Sequence, residues 1–237
     1  MNERNLPSRF LSGSALKMIA VITMLIDHIA AYLAPCFKSF FGYSFGTLLG
    51  HKLTVYYLMR TIGRTAFPIF CFLIVEGYLH TRSRFRYGCT LLIGAMISEL
   101  PWNYVHAGTW HYERQNVFFT LFLGVVAIYL YERLSARMLW RALAILGVLA
   151  FSYVLAADYR IGGVGFILLL YVLRSDLLTQ SVLGILLLGP RTLPAYLAVA
   201  LYNGERGFIK GAAAKYAFYL FYPAHLLVLY LIRCALL

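Results

Sequence analysis

The chain has 237 residues, of which 62% are hydrophobic and 13% charged, against about 25% charged in an average soluble domain. A water-soluble fold of this length would fill one core and leave the remaining apolar surface in water, so the composition excludes a soluble globular domain and calls for lipid. The formal charge of +12 would point to nucleic acid in a soluble protein; here the bases sit in short runs between apolar stretches, which orients helices against anionic headgroups and leaves no nucleic-acid partner to expect.

Residues 1–14 are polar and basic and read as a cytoplasmic segment. Residues 15–237 read as one transmembrane helical domain without a linker. In hydrocarbon every backbone polar group must be paired internally, so each long apolar run predicts a helix. The first covers Ala15 to Ala34; with Asp27 and His28 inside it and no clear cleavage site, it is a retained helix rather than a signal peptide. The second covers Tyr56 to Leu79, with a kink expected at Pro68. Then come Tyr87 to Tyr104, Val117 to Tyr131, Trp140 to Ala157 and Ile161 to Leu173. A short pair, Leu177 to Leu188 and Thr192 to Tyr202, is divided by Gly189-Pro190, and the last run is Ala214 to Leu236. The expectation is an all-α, polytopic membrane bundle of about nine spans, with a range of eight to ten.

Placing the N-terminus in the cytoplasm puts thirteen bases inside: Arg4, Arg9, Lys17, Arg82, Arg84, Arg86, Arg133, Arg137, Arg141, Arg174, Arg206, Lys210 and Lys215. Six fall outside, and the stretch from Pro35 to Val55 faces outward, which is the bias of an N-in protein. Cys36, Cys71, Cys89 and Cys234 have no metal-like spacing and read as packing residues, so no metal is expected.

Ionisable groups at membrane depth are costly, and each is a functional candidate set against a plain structural role as helix-to-helix glue. His28 lies about 20 Å along the first helix, past the midplane, and a histidine beside Asp27 has the chemistry of a general base. Arg60 and Arg64 share one face of the second helix at similar depth, where either can pair with Asp27, hold an anion or face an oxyanion. Glu76, at the other end of that helix, is expected to bridge to the Arg82, Arg84 and Arg86 run. His225 sits mid-span in the last helix beside Tyr222. The candidate catalytic set is therefore His28, Asp27, Arg60, Arg64 and His225, with Glu99, Asn116, Asp158, Tyr159 and Tyr222 as candidate substrate-binding groups. Gly162-Gly163-Val164-Gly165 lacks P-loop spacing and reads as helix packing. From the residues alone, an enzyme, a proton-coupled transporter and a structural membrane assembly protein stand level.

Five stretches add to this. They are Leu16–Ala20 with Met24–Ile29, Gly63–Phe70, Gln115–Thr120, Asp158–Gly163 and Phe221–Leu226. As an ordered set spanning nearly the whole chain they resemble the TraX family. The resemblance implies a bacterial inner-membrane acyltransferase that acetylates the amino terminus of a pilin. More distantly the pattern is similar to the acyltransferase-3 class, which implies an essential histidine at His28 and acyl-CoA supplied from the cytoplasm. The chain departs from that class in lacking an Arg-x-x-Arg pair beyond Arg82, Arg84 and Arg86. On this resemblance acetyl-CoA is the expected acyl donor, with its phosphates on Arg82, Arg84 and Arg86 and on Arg206, Lys210 and Lys215. The acceptor is a pilin-like protein, a small amine or a sugar.

Overall fold

The structure, a computed structural model, describes residues 9–48 and 50–237, with side chains for all of these but Leu48, His51, Ala212 and Lys215. Arg4, most of the proposed cytoplasmic segment and the Lys215 side chain therefore lie outside the described residues. The chain is a helical bundle. Helix α1 (Gly13–Leu33) starts at Ser12, whose hydroxyl accepts from the Ala15 N–H at 3.3 Å. The stretch expected only to face outward holds a short helix α2 (Lys38–Gly42) and an antiparallel hairpin, β1 (Ser44–Leu48) with β2 (His51–Thr54), a small exception to the all-α expectation.

Thr54 caps α3 (Val55–Gly63), and α4 (Ala66–His80) follows. The single kinked helix expected here is two helices, and the break falls one turn before Pro68 rather than at it. Proline has no N–H for the carbonyl four residues back, which is that of Arg64. The backbone there tightens into i→i−3 bonds, from Arg64 N to Thr61 O at 3.2 Å and from Thr65 N to Ile62 O at 3.1 Å.

Next come α5 (Arg84–Ala107), closed by Gly108 at φ 68°, α6 (Val117–Arg133) and α7 (Met138–Val154). They are followed by α8 (Arg160–Val172), α9 (Leu177–Leu188), a 3-10 turn (Pro190–Thr192), α10 (Leu193–Ala200) and α11 (Ala212–Leu236). Every apolar run read from the sequence is helical over most of its length. Among the described residues, three segments can each cross a membrane by length and composition: Gly13–Leu33, Val55–His80 taken through its break, and Tyr216–Leu236. Met138–Val154, Arg160–Val172 and Leu177–Leu188 are shorter apolar helices.

The core lies where α1, α4, α5, α6, α8 and α11 meet, around Met24, Phe67, Ile74, Leu91, Phe118, Phe166 and Leu226. Outward faces are apolar as well: Met96, Leu139, Leu146, Leu186 and Leu231 are all exposed. An apolar exterior around an apolar core is what lipid permits and water does not.

The N-terminal end of α1 is stitched to the α10–α11 connection. Leu11 N donates to Leu201 O at 2.9 Å, Asn203 N to Leu11 O at 2.9 Å, Gly13 N to Glu205 O at 2.8 Å and Ser14 Oγ to Arg206 O at 2.7 Å. Gly207, at φ 82°, lies against Ser12, where a Cβ would fall 2.3 Å from the Ser12 hydroxyl. This strap fixes Arg206 beside the first turns of α1.

Candidate functional site

Two histidines from α1 and α11 meet in the middle of the bundle. His225 Nδ1 lies 2.8 Å from the Phe221 carbonyl oxygen, which can only accept, so Nδ1 carries the proton. A neutral ring then has its lone pair on Nε2, and that atom is 2.6 Å from His28 Nδ1. His28 Nδ1–H therefore donates to His225 Nε2, and the His28 lone pair is left on its own Nε2, the form required of a base or nucleophile. The rings are nearly coplanar in orientation, 5° apart with centroids at 4.9 Å. His225 is the group that orients His28, while Asp27 pairs with an arginine of the second helix, as its spacing allowed.

Asp27 points the other way along the helix surface, because adjacent residues on a helix are about 100° apart. Its Oδ2 accepts from Arg60 Nη1 at 2.5 Å, locking α1 to α3. The close approach depends on Gly63, since a Cβ there would sit 2.2 Å from both Asp27 Cβ and Oδ1. Arg60 is thus held by Asp27. Arg64, at the α3–α4 break, is half-buried and has no acidic side chain in contact among the described residues.

Above the histidines is a cavity of about 630 Å³. Its floor is Met24, Phe67, Val117, Phe118 and Tyr222, and its walls include Ile74, Leu91 and Leu121. His28 is one helical turn beyond Met24, and its ring centroid lies 6.3 Å from that of Tyr222. The mouth carries Lys17, His80, Arg82 and Arg206, with Glu76 between them. Glu76 accepts from the Tyr202 hydroxyl at 3.1 Å and lies 3.9 Å from His80 Nδ1, so the expected bridge to the arginine run is absent among the described residues. Arg82 and Arg206 have no acidic partner among the described residues. A deep apolar slot with cations at its rim has the form needed for a long ligand with an anionic head.

The remaining expected site residues divide. Arg84 pairs with Glu132 at 2.5 Å, and Glu132 also accepts from the Tyr78 and Tyr171 hydroxyls, which makes a lock joining α4, α5, α6 and α8. Arg86 is exposed on the first turn of α5, and Lys210 does not line the cavity. Asn116 caps α6 through its Oδ1, while its amide donates to Ala95 O at 2.9 Å and to Glu99 Oε2 at 2.7 Å. Asn116 and Glu99 thus tie α5 to α6.

Asp158 and Tyr159 belong to the α7–α8 connection. Tyr159 stacks on Phe67 with centroids 3.6 Å apart. Ala156, Tyr159 and Arg160 all have positive φ, at 53°, 61° and 43°. Such backbone costs of order 1–3 kcal/mol per residue and persists where the surroundings impose it. Here Gln115 pairs with both Ala156 O and Asp158 N, and Thr120 donates to Asp158 O. Burial pushes the Asp158 carboxyl up to about 6, opposed by the Tyr159 N–H and by the more distant Arg114 and Arg64. Gly163 packs against Thr120, Tyr159 and Phe67, whereas a Cβ at Gly162 or Gly165 would meet nothing within 4 Å, so the packing reading of the glycine run holds for Gly163.

Two further residues were not anticipated. The Tyr32 ring lies 5.4 Å from that of His28, and its hydroxyl is 3.2 Å from His106 Nε2. Tyr32 is four residues after His28 and so on the same helix face, which is the one signal the sequence offered.

The fold and site define a polytopic helical membrane protein with a histidine pair beneath a basic-rimmed cavity. Comparison with known proteins adds the family: the TraX protein family matches residues 12–233, and the chain belongs to it. A protein of Dichelobacter nodosus named "Probable fimbrial assembly protein FimC, serogroup H1" is 28% identical over 250 residues, covering 92% of this chain and 94% of that one. No solved structure matches.

Proposed function

We propose that the protein is a membrane-embedded acyltransferase that moves an acetyl group from acetyl-CoA to an amine or hydroxyl acceptor, in the setting of pilus or fimbrial assembly. The observation carrying this is the cavity that runs from Lys17, Arg82 and Arg206 to a floor one turn from His28. The rim cations would hold the donor's phosphates, and the apolar walls would take its arm. His28 Nε2, kept unprotonated by the His225 contact, takes the acceptor's proton. Arg60, Arg64 or His225 would stabilise the developing oxyanion. The name of the D. nodosus relative supports the fimbrial setting.

In the same reading the bundle makes nine crossings of a bacterial inner membrane with the N-terminus in the cytoplasm. That puts the cavity mouth on the side where acetyl-CoA is made. It also puts Lys17, Arg82, Arg84, Arg174 and Arg206 on one face, consistent with the positive-inside bias.

The test uses the purified protein in nanodiscs, acetyl-labelled acetyl-CoA and a peptide amide with a free α-amine. Label should pass to the peptide with wild-type protein and stop with His28→Ala. A correctly inserted His28→Ala protein with wild-type transfer would refute the assignment.

A further inference from the structure

The histidine pair leaves the opposite end of the site unaccounted for. There α1 presents Tyr32, one turn beyond His28, and α5 presents His106 near its C-terminus. His106 Nδ1 lies 2.9 Å from the Trp102 carbonyl oxygen and must donate to it. Its Nε2 is then an acceptor, so the Tyr32 hydroxyl at 3.2 Å is the donor. With its hydrogen directed to His106, the Tyr32 oxygen has only lone pairs left for anything else.

The arrangement is built and held. His106 is stacked on Tyr112 at 4.8 Å and 17°, lies 3.9 Å from the Trp102 ring and meets Tyr32 edge-on at 83°. Trp102 is fixed in turn by donating from Nε1 to Arg114 O at 2.6 Å. Tyr32 is buried, whereas His106 is half-exposed and is followed by exposed residues 107–111, so the pair joins the interior to the rim opposite the cavity mouth. The charged and titratable groups around it include Asp27 and His28 on α1, Arg60 on α3 and Asp158 in the α7–α8 connection. Tyr112 and Arg114 in the α5–α6 connection, with Tyr222 and Arg233 on α11, also face it.

We propose that Tyr32 and His106 form a second proton-accepting arm, which carries the surplus proton of an ammonium acceptor to the far rim. The inference rests on the acyltransferase reading. A hydroxyl acceptor needs one base: its proton goes to His28, the new C–O bond forms, the C–S bond breaks, and the proton returns to the leaving thiolate. An amine bound as R–NH3⁺ has one proton more. It must lose that proton before its lone pair can attack, and a second one as the C–N bond forms and the C–S bond breaks. The overall change is R–NH3⁺ plus acyl thioester giving amide, thiol and H⁺. His28 and His225 recycle one proton to the thiolate. The other passes to the Tyr32 oxygen while the Tyr32 hydrogen moves to His106 Nε2, and the imidazolium releases a proton to water at the rim.

The arm therefore matters only where the acceptor is protonated, which a merely structural pair would not show. In nanodiscs, kcat/KM is measured across pH for wild-type, Tyr32→Phe and His106→Gln proteins. The acceptors are a peptide amide with a free α-amine and the same peptide beginning with a hydroxy acid. An α-amine titrates near about 8. The expected result is at least a tenfold loss for both variants with the amine at pH 6.5, shrinking to under twofold above pH 9, and no loss with any hydroxy-acid transfer. A loss of equal size at every pH, or none, overturns the relay. Absence of transfer by the wild-type protein to either peptide overturns the acyltransferase reading and the relay with it. The Tyr32→Phe variant keeps the ring and its packing, so an inactive His106→Gln protein that fails to fold leaves a deciding measurement.

Discussion

Replacing Gly63 by alanine would test whether the Asp27–Arg60 lock depends on close approach of α1 and α3. The added Cβ falls 2.2 Å from Asp27 Cβ and Oδ1 and 2.5 Å from Cγ, against an ordinary contact of 3.4 Å or more. Neither helix backbone can yield locally, so the axes must separate by about 1 Å or Asp27 must rotate away from Arg60. Overpacking of this kind costs about 1–3 kcal/mol, and a buried ion pair left broken raises the figure toward about 3–5 kcal/mol. The Asp27–Arg60 pair is only partly buried, with side chains 16% and 25% exposed, so the lower range applies. About 2 kcal/mol in a chain of this size lowers Tm by on the order of 5 °C. Thermal unfolding in nanodiscs reads this, and the same Gly63→Ala change made in an Asp27→Gly background, where no Cβ at 27 stands in its way, should cost clearly less. A Gly63→Ala protein melting within 1 °C of wild type, or a Gly63→Ala change costing as much in the Asp27→Gly background as in wild type, would refute the reasoning.

Further outcomes follow from other contacts. His225→Phe keeps the ring volume but removes the Nδ1–H acceptor of His28, and kcat for acetyl transfer should fall by about 10²–10⁴ with KM for acetyl-CoA unchanged. Arg82→Ala and Arg206→Ala should each raise KM for acetyl-CoA by roughly tenfold, the effect of one charge-assisted contact, while leaving kcat within twofold. Glu132→Ala removes the acceptor shared by Tyr78, Tyr171 and Arg84 and should destabilise the protein by about 1–3 kcal/mol in denaturation. Asp158 has its folded pKa raised from 3.8 to about 6, so the folded state holds the proton more tightly between those values and stability falls as pH rises through that window. Asp158→Asn should then be more stable than wild type by about 1–3 kcal/mol at pH 7, with the gain vanishing below pH 4. Melting curves at the two pH values decide it.

Helix positions were legible because lipid makes apolar length itself the signal: the short run Leu177 to Leu188 coincides with α9 as found. The hairpin at 44–54 was not, since Phe45 within it and Tyr43 just before it are exposed and show no buried alternation. Pro68 was read as a kink at its own position, whereas its missing N–H acts one turn upstream. Depth singled out Asp27, His28, Arg60 and His225, but depth says nothing of rotation about a helix axis. Hence the Asp27–Arg60 pair could be anticipated from spacing, while the His28–His225 contact, 197 residues apart, could not. His106 was missed because a histidine near a helix end looks like any rim residue until Tyr32 is seen beside it.

The joining of α1 to α11 also governs how the protein is made. His28 is inserted early and His225 in the last helix, while the strap at Leu11 and Ser14 needs residues 201–209. Chains emerge N-terminus first, so helices α1 through α10 must wait in the bilayer with His28 unpaired and the cavity mouth unstrapped. Insertion of α11 is therefore the step that brings His225 to His28.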